Sequence, residues 1–330
     1  MPSPPEPKAG ALVRIRDGWR RYRTLASAAL LLSAGAFVVY RLCQDWPVLK
    51  ETLQQANLTR VAWSVVALMA ALGLVAARWW LTLRALGYRA GLGESLRIWF
   101  LSQASRHVPG GIWTYVARLG LAQGIVPDGV AMTSLIAETL LRVASEAAVS
   151  LVVLLAYPTL RVGAIPLVLG MGTILTACLI ALHPMTARWL SRVPGTARVA
   201  PAIETLAKVG MGQALALVAY YIVSVLATGL AFCVLASSFY PISGSQIPSI
   251  AGALAAAVLI GFLTPIAPSG LGVREGVLSW LLSSTLPGSI ALMLAVLSRA
   301  WLTVGEAIWV GIALPWHRAV RRRAKDVVQR

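Results

Sequence analysis

The sequence predicts an all-α polytopic membrane protein: about six full transmembrane helices plus two re-entrant hairpins, or eight segments if the hairpin arms are counted as spans. Three observations carry that fold class. Hydrophobic residues make up 58% of the 330-residue chain, mean hydropathy is +0.75, and charged residues fall to 12%, about half the ~25% of a soluble domain. The apolar runs are continuous rather than alternating, which excludes a transmembrane β-barrel. The cations cluster beside those runs, as they do at the cytoplasmic ends of membrane spans.

Taken in order, residues 1–23 form a proline-rich, then basic tail (Lys8, Arg14, Arg16, Arg20, Arg21, Arg23), expected to be partly disordered and cytoplasmic. Full spans are read at 25–42, 61–83, 130–157, 162–182, 211–236 and 290–314, each near the ~20 residues that cross the hydrocarbon. The first of these has the basic start and apolar run of a signal peptide. It lacks a clear small-residue cleavage site, so it is read as a span. Two stretches, 92–126 and 246–287, contain helix breakers. The first splits at Pro109-Gly110-Gly111 into arms of roughly 15 residues, about 22 Å of helix against a ~30 Å core, and is read as a hairpin. In the second, arm 247–264 is about 27 Å long as a helix and comes close to crossing, with the same topological parity either way. A basic tail, 315–330, carries Arg318, Arg321, Arg322, Arg323, Lys325 and Arg330.

Charge placement tests this count. With both termini inside, the 184–210 segment (Arg188, Arg192, Arg198, Lys208) also falls inside, while the uncharged 237–245 loop and the Leu286-Pro287-Gly288 turn fall outside. Each half, 25–157 and 162–314, then reads span, span, hairpin, span in opposite orientation, an inverted-topology repeat. The net charge of +17 is thereby assigned to membrane surfaces, and nucleic acid is not expected as a partner because no aromatic-basic interleaving is present.

Charged residues also sit within the spans. Glu138, Arg142 and Glu146 recur at helical spacing on one face, and are read either as an acid-base-acid ladder locking helices or as the lining of a polar cavity. Arg299 and Glu306 share a face of the last span. Arg78, near the end of its span, is expected to snorkel and is given no special role. In hairpin one, Arg106 and His107 precede the break and Trp113 and Arg118 follow it. In hairpin two, Gly270 and Gly272 lead into an arm starting near Arg274 and Glu275. Irregular backbone at membrane depth needs a protein or polar lining, and a glycine-flanked helix start beside arginine suits phosphate or carboxylate. Trp46, Trp63, Trp79, Trp80, Trp189 and Trp316 are expected as interfacial anchors. Cys43, Cys178 and Cys233 are read as small buried hydrophobes. No metal-ligand spacing, nucleotide loop or catalytic constellation is present, so no metal, cofactor or catalytic residue is expected.

At two stretches the chain resembles a known family. Arg106-His107-Val108-Pro109-Gly110-Gly111-Ile112-Trp113, running on to Arg118, and Pro265-Ile266-Ala267-Pro268-Ser269-Gly270-Leu271-Gly272-Val273-Arg274-Glu275-Gly276 look like the signature segments of the lysylphosphatidylglycerol synthase transmembrane-region family. These are flippase-like bacterial and archaeal membrane proteins, and the resemblance covers roughly residues 25–314. It implies movement of a phospholipid or polyprenyl-linked lipid between leaflets of the plasma membrane. Headgroup-binding roles are carried over to Arg106, Pro109, Gly110, Gly111, Trp113 and Arg118, and to Pro268, Gly270, Gly272, Arg274 and Glu275. Glu138, Arg142, Glu146, Arg299 and Glu306 are expected to line the path. The soluble aminoacyl-transfer domain of the bifunctional members has no counterpart here, so a stand-alone member is expected, with anionic membrane lipids as partners and envelope-synthesis enzymes as candidate protein partners. The rival readings are an intramembrane transferase on a lipid-linked substrate and a scaffold for envelope synthesis.

Overall fold

A computed structural model describes residues 50–51, 54–107, 112–156, 165–182, 209, 211–264 and 270–328. The expected first span and N-terminal tail, the basic 184–210 segment apart from Val209, Cys43, Trp46, Trp189, and the two breaks themselves (Pro109-Gly110-Gly111 and 265–269, with Pro268) lie outside the described residues.

Regular structure among the described residues is helical throughout. The helices are α1 (Leu58–Ala85), α2 (Leu92–Gln103), α3 (Trp113–Ala122), α4 (Asp128–Ala156), α5 (Ile165–Leu182), α6 (Met211–Ala236), α7 (Ile247–Leu263), α8 (Val273–Leu282) and α9 (Gly288–Val328). A 3₁₀ turn, Ala104–His107, extends α2, and another, Gly244–Gln246, leads into α7. Leu58–Ala85, Asp128–Ala156, Gly212–Ala236, Gly244–Leu263 and Gly288–Trp316 are each long and apolar enough to cross a membrane. The protein is a multi-pass membrane protein.

Local signals set the boundaries. The Asn57 side chain accepts the Arg60 N–H at 3.0 Å, capping α1, and α1 gives way to Gly87 in the left-handed region at φ 80°. In the stretch expected to form the second hairpin, the added 3₁₀ turn brings the first arm, Gly244–Leu263, to span length, whereas α2 has 12 residues and α3 has 10. Helix α9 does not stop at Pro315 but continues to Val328, since a proline removes one ladder bond and bends a helix without having to end it.

The core is built on an antiparallel α1–α6 pair. Arg60 Nη1 donates to Ser237 O at 2.9 Å at one end, and Thr82 and Tyr221 share a hydroxyl–hydroxyl bond of 2.9 Å toward the other. Helix α9 runs parallel to α1, with Trp301 Nε1 on Ser64 and Trp309 Nε1 on the Met69 carbonyl. Helix α7 packs on α4, and α2 packs on α9. Both contacts use glycine for close approach. A Cβ on Gly252 would lie 2.6 Å from Val153, and one on Gly93 would lie 2.5 Å from the Trp316 ring.

One arm–turn–helix unit occurs twice at a constant register. The N–H groups of Ile125 and Val126 bond to Ala122 O, and those of Thr285 and Leu286 bond to Leu282 O. Ala131 N–H then bonds to Pro127 O as Ala291 N–H does to Pro287 O. The same turn thus delivers α3 to α4 and α8 to α9.

Trp79 departs from its expected interfacial place. It is 1% exposed and donates to Ser134 Oγ at 2.9 Å, because it sits on the face of α1 that packs against α4. Trp63, 63% exposed, keeps the exposed position. Cys178 and Cys233 are buried free thiols, as expected.

Replacing Gly252 by valine should overpack the α7–α4 contact and destabilise the protein by about 1–3 kcal/mol, measured as a lowered SDS or thermal unfolding midpoint in detergent. The same change at Gly120, whose Cβ position is open, should leave that midpoint within about 1 kcal/mol.

Candidate functional site

Ionisable side chains at the centre of the helix bundle fall into two groups, each with three arginines and two glutamates. The first comprises Arg78, Arg118, Arg142, Glu138 and Glu146. Arg118, on α3, is 4% exposed and ion-paired to Glu138 of α4 through Nη1 and Oε2. Its Nε bonds to Ser102 Oγ at 3.3 Å, and its guanidinium lies 5.6 Å and 5.5 Å from the ring centres of Trp79 and Trp99. Trp99 Nε1 donates to the other Glu138 oxygen at 3.1 Å. The charge pair is therefore boxed by indoles, with both Glu138 oxygens engaged.

The expected single-helix ladder is split. Glu138 turns to Arg118, leaving Arg142 to pair with Glu146 at 3.0 Å one turn along α4. Arg142 also lies 4.6 Å from the ring centre of Phe262, so α7 covers it. Sharing a face brings two side chains within reach, but a partner on another helix can compete for one of them, and here it does.

Arg78 does not snorkel. It is 3% exposed, its Nε donates to Ser224 Oγ at 2.6 Å, its Nη2 donates to Tyr221 O at 3.3 Å, and it stacks 5.0 Å from the Tyr221 ring centre. Helix α6 packs across the path this side chain needs to reach the surface, and it feels the charges of Glu146, Glu138 and Arg142. The first group thus carries one surplus cation, satisfied by neutral acceptors.

The second group comprises Arg106, Arg274, Arg299, Glu275 and Glu306. Arg106, in the 3₁₀ turn after α2, is ion-paired to Glu306 of α9. Arg299 of α9 pairs with Glu275 of α8 at 2.8 Å. Glu275 also accepts the Gly272 N–H at 2.7 Å, closing the first turn of α8. Glycine is required at the approach: Gly270 and Gly272 have φ of 67° and 80°. Arg274 is 5% exposed, and its Nε and Nη2 are buried without a hydrogen-bond partner among the described residues. It interacts electrostatically with all four other members of the group.

Register explains how the groups differ. Carried along the repeated turn, Glu146 falls on Glu306, Thr139 on Arg299 and Tyr115 on Glu275. Thr139 Oγ1 bonds to Tyr115 Oη at 3.3 Å where the second unit has the Arg299–Glu275 ion pair. One position holds a neutral bond in the first unit and a charged one in the second.

Of the residues expected from sequence, Arg106, Arg274, Glu275, Arg299 and Glu306 come together, with Gly270 and Gly272 shaping the backbone. Arg118, Glu138, Arg142 and Glu146 form the other group, and Trp113 starts α3 with its side chain 44% exposed. Sequence reasoning missed Gly261. A Cβ there would lie 2.9 Å from Arg274 Cβ, and a Cβ on Gly270 would lie 2.6 Å from Gly261 itself. A glycine inside an otherwise apolar helix was the available signal. It also missed the acceptors Ser224 and Tyr221, and Trp99 and Ser102 around Arg118.

Cutting Arg118 to leucine should strand Glu138 and destabilise by about 3–5 kcal/mol, whereas Glu51→Ala, removing only an exposed bond from Gln55, should cost about 1 kcal/mol or less in the same SDS titration. Adding Glu138→Met to Arg118→Leu should recover most of the loss.

No curated protein matches the chain. The model of the family described as lysylphosphatidylglycerol synthase TM region matches residues 25–327, nearly the whole length. The name denotes a membrane region, and lipid is the chemistry it points to. The chain belongs to the lysylphosphatidylglycerol synthase TM region family.

Proposed function

We propose that the protein is a lipid translocase of the bacterial plasma membrane, which holds an anionic lipid headgroup, phospholipid or polyprenyl-phosphate-linked, in a polar site inside the bundle while the acyl chains stay in the bilayer. The observation that carries this reading is the second charge group. Side chains from the turn after α2, from α8 and from α9 converge there, and one buried arginine, Arg274, has two nitrogens without a partner among the described residues. An uncompensated buried charge costs several kcal/mol, and a chain that retains one at membrane depth is accounted for by a ligand that completes it.

The duplicated arm–turn–helix unit supports an inverted repeat with both termini cytoplasmic, so that the site opens in turn to each leaflet. The Arg106–Glu306 pair joins the first half to the second and is the contact such a movement would remake. The first charge group, in which Arg78 and Arg118 bond to neighbouring helices, serves as the fixed frame.

In proteoliposomes holding a headgroup-labelled phospholipid, the wild-type chain should speed leaflet exchange, read by quenching from the outside. Arg106→Gln and Glu306→Gln should each slow it about tenfold or more, matching a charge-assisted bond of roughly 1.5–3 kcal/mol. Wild-type exchange no faster than in empty liposomes would sink the translocase reading.

A further inference from the structure

The unpaired nitrogens of Arg274 are Nε and Nη2, not an arbitrary two. Those atoms share one edge of the guanidinium, and their N–H bonds run parallel, spaced to meet two oxygens of a single phosphate or carboxylate. The edge is held in place. Arg274 occupies the first turn of α8, its Cβ is pressed against Gly261 of α7, and the neighbouring Glu275 is bound both to Gly272 N–H and to Arg299. The amides of that first turn precede the helix's own ladder, in which Gly276 N–H reaches Gly272 O, and they add the positive end of the helix.

Charge balance then limits what the edge can take. Arg106, Arg274 and Arg299 stand against Glu275 and Glu306, and both glutamates are already paired. Among the described residues one positive charge is left over, and Arg274 is the arginine of the group with no carboxylate ion-paired to it. A phosphodiester, with one negative charge, makes the group neutral. A phosphomonoester, whose second ionisation lies at about pH 6, carries nearly two charges above neutrality and leaves the group negative around the buried Arg274, Glu275 and Glu306.

We infer that the Nε–Nη2 edge of Arg274 is a two-point receptor for one singly charged oxyanion, and that the site selects phosphodiester over phosphomonoester headgroups by charge count. The inference rests on the translocase reading only for the source of the anion; the receptor itself stands on the geometry.

The test uses the full chain in detergent and short-chain probes below their micelle-forming concentrations, with binding followed by titration calorimetry. Dihexanoyl phosphatidylglycerol should bind about tenfold or more tightly than dihexanoyl phosphatidic acid at pH 8, one uncompensated buried charge being worth at least that much. The gap should close at pH 5, where the phosphomonoester holds its second proton. Arg274→Gln should abolish the preference. Arg274→Lys, which keeps the charge but loses the fork, should also lose about tenfold or more in phosphatidylglycerol affinity.

Equal or tighter binding of phosphatidic acid at pH 8, or a lysine variant that binds like the wild type, would overturn the selection. Inorganic phosphate competing with phosphatidylglycerol at equal concentration would overturn the lipid as source. Selection without leaflet exchange leaves the receptor standing and removes the translocase. Exchange without selection does the reverse. Unfolding midpoints of both variants, matched to the wild type, tie any loss of binding to the site.

Discussion

Charges inside the hydrocarbon must be neutralised where they stand, and this bundle depends on that constraint more than on any other. The central helices carry Arg78, Arg118, Glu138, Arg142, Glu146, Arg274, Glu275, Arg299 and Glu306 at or below partial exposure. Four ion pairs (Arg118–Glu138, Arg142–Glu146, Arg299–Glu275 and Arg106–Glu306) engage most of them. Three of the four run between different elements, so neutralising the charges also fixes which helices meet. The short helices α3 and α8 are each tied in this way to the long helix that follows them.

Close backbone approach is the second requirement, and glycine meets it. Helix α7 is built largely of alanine and glycine, from Ala251 through Gly261, and is the most buried of the span-length helices. Its Gly252 admits Val153, its Ala251 lies against Gly229, and its Gly261 admits both Gly270 and the root of Arg274. Removing side-chain bulk at these points lets Gly270 and the start of α8 press against α7. A larger residue at Gly261 would push Arg274 away from the group it completes.

The duplicated turn shows how one scaffold came to hold two different electrostatic centres. Both copies keep the same backbone bonds around Pro127 and Pro287, and both keep a glutamate at the matching position of the long helix, Glu146 and Glu306. Their partners differ. Glu146 is taken by Arg142 within its own helix, whereas Glu306 is met by Arg106 from the other half. Arg78 finds the Ser224 hydroxyl and the Tyr221 carbonyl, but Arg274 finds no acceptor among the described residues. In the first centre the buried atom without a partner among the described residues is a carboxylate oxygen, Glu146 Oε2; in the second it is a guanidinium edge, Nε and Nη2 of Arg274.

Composition and hydropathy alone determined the fold class, because a chain this apolar must satisfy its backbone within helices once water is gone. Hydropathy placed the helix starts within a few residues: 61 against Leu58 for α1, 130 against Asp128 for α4, 290 against Gly288 for α9, and an arm near Arg274 against Val273 for α8. The charged positions were also legible, since a charge inside an apolar run is visible in one dimension. The pairing was not. Glu138 had a partner at helical spacing in Arg142 and took Arg118 instead; Arg78 had a route to the surface that α6 blocks; Trp79 had the look of an anchor and became core. Side-chain partners are chosen by distance and by what else competes for them, and those are properties of packed helices rather than of spacing along the chain. Sequence named the charges that membrane depth makes costly. Only the tertiary structure decided which of them pair, and that Arg274 keeps two nitrogens without a partner among the described residues.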